Sequence, residues 1–117
     1  MPSRSFRNNN PGNIRFGPFA EARGAKDDGE GYAVWETPIQ GCAALVGLLS
    51  VKSYREMTVP EMIERYAPKS DHNSPSEYAD YVLHRSWVPK ESKIGSLDPF
   101  QLWRVVEAIT RFEGWQK

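Results

Sequence analysis

Two groups of side chains in this sequence have the types and spacing to do chemistry. The first is the run Arg7-Asn-Asn-Asn-Pro-Gly-Asn-Ile-Arg15, which places four carboxamides within six residues. An amide carries donors and an acceptor on a short stem, the combination that holds sugar hydroxyls and N-acetyl groups. Asn9, Asn10 and Asn13 are therefore candidate substrate-binding residues. Asn, Pro and Gly also build tight turns in which the amides cap their own backbone, so the block has a structural reading beside the recognitive one. The second group is a set of carboxylates, of which Glu113 is the best placed. Leu102, Val106, Ile109 and Glu113 follow at intervals of four, three and four, so the carboxyl group continues the apolar stripe of a helix. Partial removal from water and the negative end of the helix dipole both favour the neutral form and would raise its pKa. A general acid needs that shift to keep its proton near neutral pH. The alternative is a frayed terminal residue pointing to water.

Other candidates are weaker. Glu36 precedes a helix cap, where a negative charge suits the positive helix end, and it lies beside an expected hairpin that could turn it towards a cleft. Glu30 belongs to Asp27-Asp-Gly-Glu-Gly31, which lacks the alternating ligands and distal Glu of a calcium loop and reads as a solvated turn. Glu30 stays as a second candidate acid. His72 and His84 stand twelve residues apart with no Cys or third His to complete a metal site, so neither a metal nor another cofactor is expected. The single cysteine, Cys42, sits in Cys42-Ala-Ala-Leu-Val46 and reads as a small buried hydrophobe. Most of the aromatic residues must fill a core. Tyr32, beside the Asn block, and Tyr66, before Ala67-Pro68, are the two expected at a groove.

These groups need elements to hold them. Four segments open with a short polar residue followed three positions later by Glu or Gln, with Pro close by: Thr37-Pro-Ile-Gln40, Thr58-Val-Pro-Glu61, Ser74-Pro-Ser-Glu77 and Asp98-Pro-Phe-Gln101. Each reads as a capping box at a helix start. Helices are expected over about residues 38–50, 60–66, 75–85 and 99–113. The first is apolar on nearly every side and reads as a central helix surrounded by protein. The second stops before Ala67-Pro68, since the residue preceding proline is driven from helical geometry, and the fourth is closed by Gly114. Residues 7–31 are dense in Asn, Gly and Pro, which argues for loops rather than a helix. Two extended pieces, residues 14–16 and 32–35, are expected to pair as a small hairpin. The stretch from Ser70 to Ser74 reads as an interhelical loop.

At 117 residues with 39% hydrophobic content, the chain is sized for a single domain of mainly α (α+β) class. Fifteen Lys plus Arg balance fifteen Asp plus Glu, so there is no basic excess to draw it to nucleic acid or acidic membranes. No apolar run approaches the ~18 residues of a membrane helix, and the first residues lack a signal peptide's apolar core. Synthesis in the cytoplasm without a signal peptide is expected.

Four blocks, in order along nearly the whole chain, give a family likeness: Arg7-Asn-Asn-Asn-Pro-Gly-Asn-Ile-Arg15, then Gly31-Tyr-Ala-Val-Trp-Glu-Thr-Pro-Ile-Gln-Gly41, Glu64-Arg-Tyr-Ala-Pro68 and Arg111-Phe-Glu-Gly-Trp115. The sequence resembles the small phage and prophage muralytic domains of the lysozyme-like superfamily. The first block is the specific one; the Ala-Pro and Glu-Gly blocks gain force from their order. The resemblance implies a lysozyme-like fold and cleavage of the β-1,4 bond between N-acetylmuramic acid and N-acetylglucosamine in peptidoglycan. The agent would be a lytic transglycosylase or a muramidase, working in the periplasm or after delivery by a phage or secretion system. Related enzymes usually carry the catalytic Glu near the start and the Asn-rich segment later, so the order here suggests a circularly permuted arrangement. A transglycosylase needs one carboxyl group, for which Glu113 is favoured, whereas a hydrolase needs a partner, for which Glu30 or Glu36 is available. Two other readings stand beside this one: a noncatalytic virion or peptidoglycan-binding module, and the same chemistry in an injected antibacterial toxin restrained by an immunity protein.

Overall fold

The computed structural model of the chain describes residues 3–67 and 74–115. The chain falls into two compact units, one of residues 1–48 with 109–117, the other of residues 49–108. The described elements are mainly helical, with one two-stranded antiparallel sheet. Among the described residues no helix is long and apolar enough to cross a membrane.

The first unit opens with a single helical turn, α1 (Arg4–Arg7), whose N-cap Ser3 accepts a hydrogen bond from the Phe6 amide. The Asn block follows and leads to a second short helix, α2 (Pro18–Glu21). That turn lies inside the segment expected to be loop alone. Pro18 at the first helical position explains it, because its fixed φ is already helical and its missing N–H is not needed there. Strands β1 (Lys26–Asp27) and β2 (Ala33–Val34) then pair antiparallel, with Lys26 opposite Val34 and Asp27 opposite Ala33. The expected partner of this strand, residues 14–16, is present in a lesser form. Arg15 and Tyr32 make one antiparallel bridge, the Ala33 amide donates to Ile14 O at 2.9 Å and the Phe16 amide to Gly31 O at 2.8 Å. The segment around Tyr32–Ala33 is thus bonded on both sides, and the ladder proper belongs to Lys26–Asp27.

Helix α3 (Pro38–Leu49) starts at its expected cap. The Gln40 side chain accepts from the Thr37 amide at 3.0 Å, and the Gln40 amide donates to Thr37 Oγ1 at 3.3 Å. Gly41, Ala44, Leu45 and Leu49 are buried, but Ile39 is 80% exposed and Ala43 is exposed. The expectation of a helix buried all round is therefore corrected. Gly41 shows why one face was chosen: a Cβ there would overlap the carbonyl oxygen of Asn9. The helix comes backbone to backbone against the Asn block on that side, and Ile39 is left in water.

The second unit contains α4 (Lys52–Arg55), α5 (Val59–Tyr66), α6 (Pro75–Ser86), a 3-10 turn (Ile94–Ser96) and most of α7 (Pro99–Phe112), whose last residues belong to the first unit. Thr58 and Glu61 form a full capping box, and Ser74 caps α6 by accepting from the Glu77 amide. At α7 the Gln101 amide donates to Asp98 Oδ1 at 2.7 Å while Gln101 accepts from the Asp98 amide at 2.9 Å. All four anticipated helix starts are realised. Helix α5 packs on α6, with Val59, Met62 and Ile63 buried on one and Tyr78, Ala79 and Val82 on the other. The one-turn helices α1, α2 and α4 carry no apolar period long enough to announce themselves. Pro68, His72 and most of the loop expected between Ser70 and Ser74 lie outside the described residues.

Candidate functional site

The first unit gathers the Asn block, the hairpin and the end of α7. Glu113 follows the last helical residue, and its amide donates to Ile109 O at 3.0 Å. Gly114 (φ +84°) donates to Arg111 O at 3.1 Å, and Trp115 to Thr110 O at 3.1 Å. This paired closure by a left-handed glycine holds the residue before it in one place. Two serines near the N-terminus complete the arrangement: Ser5 Oγ donates to the Glu113 carbonyl at 3.0 Å and Ser3 Oγ to the Gly114 carbonyl at 2.8 Å. Both carbonyls lie where a helix leaves its acceptors unsatisfied. The Glu113 side chain is half-buried, and its Oε1 accepts from Asn13 Nδ2 at 3.2 Å.

Asn13 and Glu113, a hundred positions apart, are thereby brought into contact. Asn13 itself adopts the left-handed region at φ 51°, which asparagine tolerates better than most residues. Its Oδ1 is buried and has no hydrogen-bond partner.

The other asparagines are engaged elsewhere. Asn10 has no exposed surface. Its Nδ2 donates to Ile14 O and Ala33 O, both at 2.9 Å, and its Oδ1 accepts from the Ile14 amide at 2.9 Å. No polar group of that side chain faces outward, and its geometry is that of a pin between the Asn turn and β2. Asn9, also left-handed at φ 51°, donates to the carbonyls of Trp35 and Glu36 at 2.9 and 3.0 Å. Asn8, mostly buried, donates to Asp28 Oδ2 at 3.0 Å. Three of the four amides therefore brace the hairpin, and Asn13 alone reaches a carboxylate.

Glu30 and Glu36 are exposed. Glu30 sits in the tip of the hairpin, where its amide donates to Asp28 Oδ1 at 2.7 Å, and Glu36 has its carbonyl tied by Asn9. The acidic tip is a pair of interlocked Asx turns. Asp27 Oδ1 accepts from the Gly29 and Gly31 amides, and Asp28 Oδ1 from those of Glu30 and Tyr32. Desolvation pushes the Asp28 carboxyl upward, but the hydrogen bonds from Asn8, Glu30 and Tyr32 and the charge of Arg4 outweigh it and hold the group below the usual carboxylate range. Tyr32 is half-buried, with the Arg4 guanidinium 4.0 Å and the Arg15 guanidinium 5.0 Å from its ring centroid. Tyr66 closes α5 in the second unit.

Sequence reasoning named Glu113 and Asn13 but not the serines that fix Glu113 from behind. Ser3 and Ser5 carry no motif, and their partners are 111 and 108 residues away. Asp28 did have a signal, since an Asp two residues before an amide in a Gly-rich turn is the pattern of an Asx turn. Among the described residues no group of three or more His, Cys, Asp or Glu side chains is placed to hold a metal ion. Compared with known proteins, the chain matches no family model and no curated protein.

Proposed function

We propose that this chain cleaves peptidoglycan glycan strands between N-acetylmuramic acid and N-acetylglucosamine as a lytic transglycosylase, with Glu113 as its one general acid and base. The observation that carries the reading is the Asn13–Glu113 contact at 3.2 Å, which joins the most specific block of the sequence to the best-placed carboxyl group. The ordered likeness to phage muralytic domains supplies the substrate class and the lysozyme-like reading of the fold. Rigid placement supports the choice of residue: Glu113 is tied through its amide, its carbonyl and one carboxyl oxygen, and a catalytic group is most effective on such a support.

In the first step the Glu113 proton passes to the glycosidic oxygen as the bond from that oxygen to C1 of muramic acid breaks. In the second, the carboxylate takes the proton of the muramic acid C6 hydroxyl while that oxygen bonds to C1. The product is a 1,6-anhydro ring, and Glu113 ends protonated as it began. No water is consumed and no second carboxylate is required, which fits the exposed positions of Glu30 and Glu36 on the hairpin tip and beside a cap. A hydrolase would need a second carboxyl group held at ~5–5.5 Å or ~6.5–9.5 Å from the first.

Mass spectrometry of the fragments released from purified sacculi tests this. The expected muropeptides are one water lighter than the reducing-end products of hydrolysis. Glu113→Gln should lower lysis at least about a hundredfold, the ordinary worth of general acid catalysis, with an unchanged circular dichroism spectrum. Reducing-end products that vanish in Glu30→Gln or Glu36→Gln would instead establish a muramidase. A wild-type protein that binds sacculi without clearing them would establish a noncatalytic module.

A further inference from the structure

Helix α1 carries two arginines; Arg7 is exposed and Arg4 is half-buried. The Arg4 guanidinium lies 4.0 Å from the centroid of the Tyr32 ring. Against desolvation, and alongside hydrogen bonds from Asn8, Glu30 and Tyr32, its charge helps to hold the Asp28 carboxyl low. Its Nε is buried and has no hydrogen-bond partner. A guanidinium N–H hidden from water without an acceptor costs stability, whereas an unbranched apolar side chain such as Met would fill a similar volume without that cost. A residue that breaks a local rule of stability is expected where function requires it.

The backbone on either side of Arg4 leads to the proposed acid. Ser3 Oγ donates to the Gly114 carbonyl at 2.8 Å and Ser5 Oγ to the Glu113 carbonyl at 3.0 Å, and the two hydroxyl oxygens are 3.0 Å apart. Phe6 then sets its ring on that of Trp115, with centroids 5.2 Å apart. A single helical turn does not hold its shape alone, because it fixes several dihedral angles for very few hydrogen bonds. Its side chains must steady it. At one end Asn8 donates to Asp28 Oδ2 at 3.0 Å, and at the other Arg4 rests on Tyr32. Helix α1 is therefore a bridge, with the hairpin on one side and the end of α7 on the other.

We infer that Arg4 is a positioning residue for the proposed general acid: seated on Tyr32, it holds α1 against the hairpin so that Ser3 and Ser5 keep the Glu113 backbone in the place where its carboxyl group meets Asn13. This rests on the function proposed above. Arg4 acts through the two serines and not on the sugar. The flat face of the guanidinium matters as well as its charge, because a lysine ammonium in the same place is a point charge that cannot stack on a ring.

The test joins lytic kinetics on soluble glycan strands to amide hydrogen exchange of the full chain. Arg4→Met should lower kcat about tenfold and leave KM within about twofold, the mark of a misoriented acid and not of weaker binding. Its Tm should equal or exceed that of the wild type, since the buried Nε is gone. Arg4→Lys should recover part of the rate. In a Ser5→Ala background Arg4→Met should change the rate by less than about twofold, because the path through α1 is already cut. Without any substrate, the Glu113 and Trp115 amides of Arg4→Met should exchange at least about fivefold faster than in the wild type, with the α5 amides unchanged. A loss that appears in KM overturns the inference, as do losses that multiply in the double variant and exchange at the wild-type rate. A Tm lowered by more than about 5 °C also overturns it, for Arg4 would then be an ordinary structural residue. The proposed cleavage fails or stands separately, because it is read from product masses and from Glu113→Gln, neither of which enters the exchange result.

Discussion

Asn10 and Asn13 lie three residues apart and use the same functional group for different ends. The Asn10 amide bonds two carbonyls and one N–H inside the fold, so Asn10→Ala takes their partner from the Ala33 carbonyl and the Ile14 amide, while the Ile14 carbonyl keeps its bond from the Ala33 amide. Each such orphan costs on the order of 1–3 kcal/mol. Urea denaturation should show Asn10→Ala losing at least ~2 kcal/mol, while the fraction still folded keeps full specific activity. Asn13→Ala should reverse that order: the loss of stability stays near ~1 kcal/mol, the worth of one hydrogen bond, and the lytic rate drops about tenfold or more because Glu113 is no longer oriented. Equal effects on rate and stability in Asn13→Ala would count against the orienting role. Asp28 gives a prediction in pH. Its folded-state carboxyl is held below the usual range despite desolvation, so the stability it contributes is present above the unfolded carboxylate value of ~3.9 and disappears as pH falls through the lower folded value. Asp28→Asn should flatten the acid limb of the stability curve below about pH 4 and leave the alkaline side unchanged.

At the scale of elements, local signals were legible and distant ones were not. The four helix starts were readable because a cap and its reciprocal partner sit three residues apart, within reach of pattern alone. Thr58→Ala should cost about 1 kcal/mol in thermal denaturation, the usual worth of such a cap. The inward face of α3 was not readable. Its sequence is apolar almost throughout, and the choice depends on the approach of Gly41 to the Asn9 carbonyl, thirty-two positions away. The second partner of the hairpin, Lys26–Asp27, was not readable for a similar reason. Residues 14–16 and 26–27 both bond to the segment at Tyr32–Val34, and a two-residue strand has too little periodicity to declare its ladder. Of the candidate site, Glu113 was legible from the stripe on α7, but its anchors Ser3 and Ser5 were not. Gly114→Ala probes that anchoring. A Cβ at φ +84° would be strained and would lie 3.2 Å from Ser3 Cβ; the left-handed conformation alone costs roughly 1–2 kcal/mol. Both Tm and lytic rate should therefore fall together, unlike the pattern in Asn13→Ala.

For the whole molecule, charge and chain ends matter most. Equal numbers of acidic and basic residues and a pI near 6.7 leave little mutual repulsion between copies at neutral pH. Light scattering should pass through a maximum close to the pI and decline on either side. The serine bonds at the end of α7 have a further consequence, for topology. With Ser3 Oγ only 2.8 Å from the Gly114 carbonyl, the two ends of the described chain meet, and a short peptide graft could close the backbone into a ring. Such a ring would start unfolding from a smaller ensemble of open chains, a gain of a few kcal/mol when the closed loop spans about a hundred residues. It would also have no free end from which Glu113 could fray.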